Sequence, residues 1–393
     1  MPTFKNRVEL LKQTENEPIL LTGEKAGALV VVSPKLVGRV MDATFKGEDG
    51  ETLAWWDEDL IQGKKGQNPA FYNNVGGDSR IWWAPEAGGY TTFFDPGKPY
   101  EEAQWRVPDI MGKTQFQNIK IKKEGKRQVG VTYDANVQAT MYNGNPLNLY
   151  VKRAVKMVEQ PFSKTNLKKF FADQSIQYVG YSTTDSIKNT GAKPLNRKNG
   201  LVSMWVLGQY QPGLETYVIL PILSGSNEKL GPPVVDYNFF NNAPVPANRK
   251  LIRPNYIVYK TDGQYRGKLG LKPGRAKSTV GSIDLKNNLL TIVDAKINKK
   301  GRYLNSLWTQ KPGEELLGSA SETFNDGPMV PGGTSLGGFY ELERLSDAPD
   351  LKRGEGYSFT VTTRRYSGDL EQLLEIAKHP LGLDCDLSHE SFK

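Results

Sequence analysis

The sequence predicts an all-β fold, a sandwich or barrel of many short strands with a brief helix near each end. Three observations carry this. Runs of β-branched and aromatic residues follow one another, broken by Gly, Pro, Asn and Asp. The 393 residues include 40 Gly, 24 Pro and 10% Phe, Trp and Tyr, a makeup rich in turns and rings. No alternation of strands with helical patterns appears, which argues against Rossmann and TIM-barrel architectures.

In chain order, Thr3 to Lys12 reads as an amphipathic helix with Thr3 as its cap and Phe4, Val8 and Leu11 on one face. Strands are expected at Ala28–Ser33, Arg80–Ala84, Tyr90–Phe94, Gln128–Tyr133, Leu201–Leu207, Thr216–Leu220, Leu289–Val293 and Tyr357–Thr363. A second helix is expected from Asp369 to about Lys378. Leu370, Leu373, Leu374 and Ala377 form its stripe, Gln372 completes a capping box, and Pro380 and Gly382 mark its stop. With no Ser/Gly linker, no low-complexity tract and no internal repeat, one continuous domain over residues 1–393 is expected, a length ample for a large core.

Scarce residue types narrow the chemistry. The single cysteine, Cys385, precludes an internal disulfide and a Cys-rich zinc site, and its place near the C-terminus makes it a poor nucleophile candidate. The only histidines are His379 and His389, so no His-based triad or H-E-x-x-H metal helix exists in the body of the chain. Acid–base work falls to carboxylates, Tyr or Lys. No calcium-loop spacing occurs, so no metal and no cofactor is expected. The longest apolar runs, about seven residues, fall short of the ~20 needed to span a bilayer. Residues 1–12 lack an apolar signal-peptide region. A cytoplasmic location is expected if Met1 is the native start, a periplasmic or extracellular one if a leader was removed. The charge of +8 includes two basic Gly-containing segments, Lys120–Arg127 and Lys299–Arg302. They lie far apart and carry no stacking aromatics, so they read as solvated tips and not as a nucleic-acid footprint, with a polyanionic glycan as the alternative.

Three segments concentrate candidate chemistry. Asn73–Arg80 followed by Trp82, Trp83 and Glu86 places glycines around an acid and an arginine, which lets backbone approach a ligand; the alternative is a Gly-rich turn beside core tryptophans. In Phe339–Arg344, Glu341 and Glu343 fall on one face of a strand, where mutual repulsion raises a carboxyl pKa; the alternative is a solvated pair neutralised by Arg344. Asn325-Asp326-Gly327 reads on its own as a turn. Lys268 is either a contact for an anionic substrate group or a surface charge.

Together these motifs resemble those of galactose-mutarotase-like (aldose 1-epimerase-like) proteins. The likeness rests on Ser33-Pro34 with Gly38-Arg39-Val40, Gly76-Gly77-Asp78-Ser79-Arg80, Ala84-Pro85-Glu86-Ala87-Gly88-Gly89 and Asn189-Thr190-Gly191. It also rests on Phe339 to Pro349, with Asp347 six residues after Glu341, and on Leu351 to Glu355. It runs from about residue 15 to about residue 385. It is strongest toward a secreted bacterial family of unknown function found beside polysaccharide-degrading genes. The resemblance implies a β-supersandwich of two large antiparallel sheets with an open sugar cleft.

The resemblance also implies site residues. Glu341 matches the general base glutamate of aldose 1-epimerases, Arg80 their substrate-binding arginine, and Gly38-Arg39 their early loop. Their acid histidine has no counterpart: Met204 to Tyr210 stands in that region. A carboxyl group (Glu86, Asp326 or Glu343) or Tyr210 is then needed in its place. The expected anchors are Arg39, Arg80, Lys268 and Asn325, with Trp205 and Trp308 as stacking surfaces. A mono- or oligosaccharide is the expected partner. Epimerisation of an aldose or uronic sugar and glycoside cleavage are the two enzymatic readings. Glycan binding without catalysis is the third.

Overall fold

The computed structural model describes residues 2–66, 73–159, 176–237, 244–329, 332–384 and 387; Cys385 and His389 lie outside them. Among the described residues every strand ladder is antiparallel, in three sheets. The smallest joins β1 (Ile19–Thr22), β2 (Leu29–Ser33) and β3 (Arg39–Thr44). The largest has ten strands. Their spatial order is β12 (Lys250–Ile252), β13 (Tyr256–Lys260), β10 (Thr216–Pro221), β15 (Thr279–Asp284), β16 (Leu289–Ala295), β19 (Gly356–Ser367), β8 (Gln177–Asn189), β7 (Pro146–Met157), β6 (Arg127–Thr140) and β5 (Gln117–Glu124). Six strands form the third, in the order β11 (Val235–Tyr237), β14 (Gly267–Leu271), β17 (Ser321–Asn325), β18 (Tyr340–Leu345), β9 (Ser203–Tyr210) and β4 (Arg80–Ala84).

Many strands and few helices are what the sequence predicts, and two large antiparallel sheets are what the resemblance implies. In the ten-stranded sheet the burial alternates along β7 and β8, with Leu147, Leu149, Val151, Val155 and Val179, Tyr181, Ile187 turned to the core. Such alternation belongs to a sheet with one wet face. The six-stranded sheet differs: every residue of β4, β9, β14, β17 and β18 is buried. One of its faces joins the core through Leu269, Leu342, Val206 and Ile81. The other is buried and polar, an arrangement that costs free energy unless the groups are paired or used.

Helix α1 (Phe4–Gln13) starts at Thr3 with a capping box completed by Asn6 and buries Phe4, Leu10 and Leu11 against Val31, Met41 and Trp56. Helix α2 (Leu370–Leu381) begins at Asp369, whose side chain accepts from the Gln372 N–H, as expected. It runs three residues past the expected end and includes Pro380. Leu381 is fully buried and Gly382 closes the helix in the left-handed region, so the packing of Leu381 outweighs the hydrogen bond that proline forfeits.

The strand expected at Tyr90–Phe94 is absent. The Thr91 hydroxyl donates to the Glu86 carbonyl at 2.8 Å and accepts from the Phe93 N–H at 3.0 Å, so side-chain bonding satisfies this backbone locally. Phe93 and Phe94 instead pack against Trp82, Trp105 and Trp308.

Buried ion pairs lock the sheets together. Arg153 on β7 pairs with Asp185 at 3.2 Å and donates to the Ser79 hydroxyl at 2.8 Å, while Arg365 on β19 pairs with Asp78. The larger sheet thereby grips the two residues just before β4, which carries Arg80 into the other face of the smaller sheet.

Candidate functional site

Strand register assembles the site. Lys268 on β14 lies opposite Phe324, Phe324 opposite Glu341, and Glu341 opposite Gln209. Two residues along, Glu322 faces Glu343, Glu343 faces Leu207, and Leu207 faces Arg80. One step further, Leu345, Trp205 and Trp82 align. Because side chains alternate across a strand, Lys268, Glu322, Glu341, Glu343, Gln209, Arg80, Trp205 and Trp82 share one face. Arg344 falls on the opposite face, bonded to the Ser278 carbonyl at 2.9 Å, so it does not neutralise the two glutamates.

The charges on this face are paired tightly. Lys268 Nζ sits 2.7 Å from Glu322 Oε2 and 3.0 Å from Glu343 Oε2. It also lies 4.5 Å from the Trp205 ring centroid, a cation–π contact. Trp205 Nε1 donates to Glu343 Oε2 at 2.7 Å. Arg80 binds Glu341 Oε1 at 2.9 Å and stacks 4.5 Å over Trp82. Glu343 is pushed well above the ordinary carboxylate range by burial, with the Lys268 charge opposing. Burial works against the Lys268 ammonium, but Glu322 and Glu343 together hold it above its usual range.

Glu86 joins from the loop after β4. Its N–H donates to the Ser306 hydroxyl at 3.1 Å. Burial raises it from the ordinary 4.5 to about 7; Lys268 opposes the shift, while Glu322 and Glu341 add to it, so it senses the sheet carboxylates directly. The folded protein therefore keeps a proton on Glu86 that the unfolded chain has released, and stability declines as pH rises from about 4.5 to about 7. Glu86→Gln removes this dependence. It should raise stability at pH 8 relative to pH 5, by up to about 3 kcal/mol, read from denaturant melts at the two pH values.

Sequence reasoning finds Glu341, Glu343, Glu86, Arg80 and Lys268, and the structure brings these together. It misses Glu322, which a strand pairing alone sets against Glu343. It also misses Gln209, which is fully buried beside Glu341 and whose two amide atoms have no hydrogen-bond partner among the described residues. Gln209 carries a detectable signal: Trp205, Leu207 and Gln209 repeat with period two.

Other expected residues lie elsewhere. Tyr210 projects from the opposite face of β9, under the Arg365 guanidinium at 4.3 Å and beside Tyr340, so it cannot stand in for an acid at Glu341. Asp326 Oδ2 accepts the Gly337 and Gly338 N–H groups at 2.8 Å each, and Arg266 lies 3.3 Å away; it fastens a loop. Asn325 bonds the Tyr265 carbonyl and the Gly263 N–H, holding the neighbouring loop. Trp205 is 3% exposed, with its ring engaged by Lys268 and Trp82, and Trp308 packs edge-on to Phe94; neither offers an open stacking face. Arg39 is buried, with Nη1 on the Gly76 carbonyl at 2.6 Å, on the turn next to Gln209. His379 lies in the last turn of α2.

Among the described residues, no three His, Cys, Asp or Glu side chains are placed to hold a metal ion. No described helix is long and apolar enough to cross a membrane.

Comparisons with known proteins follow this geometry. The Slr1438 protein of Synechocystis is 10% identical with a TM-score of 0.50, over 90% of this chain and 96% of that one. A galactose mutarotase-like protein from Lactobacillus casei is 9% identical with a TM-score of 0.49, over 89% of this chain and all of that one. Identities this low speak to fold alone. The search of curated proteins found no match. The model of a family described as of unknown function, DUF6786, matches residues 2–392, and the chain belongs to that family.

Proposed function

We propose that the buried polar face of the six-stranded sheet binds a sugar and opens its ring by carboxyl acid–base chemistry, interconverting anomers of an aldose or uronic sugar. The observation that carries this reading is a pair of carboxyls in contrasting environments. Glu341 is held by the Arg80 guanidinium at 2.9 Å, while Glu86 is raised by burial to about 7. A carboxyl that burial keeps protonated, near one ion-paired to an arginine, suits the roles of acid and base. Glu341 takes the proton of the anomeric hydroxyl as the bond from C1 to the ring oxygen breaks, and Glu86 gives a proton to that oxygen. Rotation about the C1–C2 bond and the reverse steps yield the other anomer, with both protons restored. Gln209, with an unpartnered donor and acceptor, is set to bind sugar hydroxyls. Glu343, pinned by Lys268 and Trp205, keeps the face in shape.

The test follows anomeric NMR signals of freshly dissolved α-anomers, neutral and uronic, with oligosaccharides added for cleavage. Faster mutarotation of at least one sugar is expected. New reducing ends would replace this reading by glycoside cleavage, and shifted sugar signals without reaction would replace it by glycan binding.

A further inference from the structure

We propose a second binding site on the outer face of the ten-stranded sheet, a cationic groove that takes a polyanionic glycan strand of the uronic or sulfated kind. The ladder between β16 and β19 ends at Ala295–Val361, yet β19 starts five residues earlier, at Gly356. Residues 296–300 leave the sheet there and, with Tyr357–Thr360, enclose a groove of about 790 Å³. Lys296, Lys299 and Lys300 line it, and no carboxylate does.

Those three ammonium groups are exposed and make no ion pair among the described residues. Four acids lie nearby, and Glu355 accepts the Lys352 N–H at 2.7 Å. Asp347 accepts from Asn298 Nδ2 at 2.8 Å and from the Tyr357 hydroxyl, Asp350 pairs with Arg302 at 2.8 Å, and Asp294 pairs with Arg364. An uncompensated cluster of like charge in a concavity focuses a positive potential, and it attracts an anion with several charges more than a single ion.

Beyond the groove the surface continues in kind. Helix α2 covers the outer face over β10, β13, β15 and β16 through Ile219, Val258, Ile283 and Ile292, and over one end of β19 and β8 through Tyr366 and Tyr178; among the described residues the other end of β19 and β8, around Ser358, Thr360, Thr184 and Ser186, stays accessible. There Thr360 meets Thr184 at 2.9 Å and Ser358 meets Ser186 at 2.7 Å, hydroxyl to hydroxyl. Lys188 lies opposite Gly356, and Lys152 sits between Ser186 and Asp134, whose carboxylate accepts from Asn118 Nδ2 at 2.7 Å. A band of hydroxyls flanked by lysines suits a chain that carries hydroxyls and anionic groups in repeat. Within the groove the Tyr357 hydroxyl is tied to Asp347 and Phe359 is 6% exposed, while on the sheet beyond it the Tyr150 ring lies opposite Lys188, so a single-stranded nucleic acid is the occupant the test must separate from a glycan.

The probe is polygalacturonate, with its methyl-esterified form as the uncharged control, in affinity electrophoresis and calorimetry over a range of salt. The intact protein should bind the charged polymer at low salt and not the ester. Lys296→Gln/Lys299→Gln/Lys300→Gln should weaken binding by about 10-fold or more and reduce the slope of log affinity against log salt by about 2. A second variant removes the same charge from the β5–β6 hairpin, Lys122→Gln/Lys123→Gln/Lys126→Gln, and should bind as the parent does. Equal loss in the hairpin variant, equal binding of the ester, tighter binding of a single-stranded oligonucleotide, or no retention at low salt would each overturn the assignment.

Discussion

Glu341→Gln is expected to lower the rate of anomer interconversion by at least about 100-fold while the protein keeps its fold, the span typical for loss of a general base. The amide matches the carboxylate in shape and still accepts a hydrogen bond from Arg80 but cannot take the proton of the anomeric hydroxyl. Its backbone stays fixed by two ladders, to Phe324 on β17 and Gln209 on β9. Sugar affinity, read by the same NMR titration, should change little, so the loss falls on kcat and not on KM. The pH profile adds a second reading. Because Glu86 titrates near 7, activity of the parent should fall as pH rises through that value, as the acid loses its proton. Glu86→Gln removes that limb along with most of the rate. A Glu341→Gln variant that retains parental turnover would place the base elsewhere; parental affinity without turnover in either protein would mark a binding site.

Sequence reasoning reaches the fold because short strands and turns are local signals, and it reaches Glu341 and Glu343 because period two along a single strand is local too. The rest of the site depends on which strands become neighbours. Gln209 and Glu341 are 132 residues apart in sequence and adjacent in space only through the β9–β18 ladder. Glu322 carries no mark as a site residue until the β17–β18 register sets it against Glu343. Tyr210 shows the opposite lesson. Once Trp205 is assigned to the polar face, alternation already sends Tyr210 to the other side, and chemical attraction to a phenol near the missing histidine overrode it. The Asp78-Ser79-Arg80 motif divides likewise: Asp78 and Ser79 are gripped by Arg365 and Arg153, and only Arg80 reaches the site.

Removing the central cation tests whether this face is one electrostatic unit. Lys268→Met keeps the volume of the stem and deletes the ammonium, leaving Glu322 and Glu343 opposite each other with no counter-charge between them. Both are at most 1% exposed, so hydration cannot replace the lost pairing. Breaking a buried pair by removing one partner costs about 3–5 kcal/mol, and that loss is expected near pH 8 in denaturant melts. The sign with pH follows from protons. Lys268 is what opposes the burial that raises Glu343, so with it gone the folded state holds the Glu343 proton more strongly than the unfolded chain does, and the deficit grows as pH rises above about 4.5 and shrinks in acid. A second change, Glu343→Gln on the Lys268→Met background, removes one of the opposed charges and should recover part of the stability and flatten the pH dependence. Loss of equal size at pH 5 and pH 8, with no recovery in the double variant, would mean that Lys268 contributes through packing on Trp205 and not through charge. Coupling in the double variant would instead establish that the Glu322–Lys268–Glu343 bridge is what allows a sheet face this acidic to stay folded around the Glu341 and Glu86 pair.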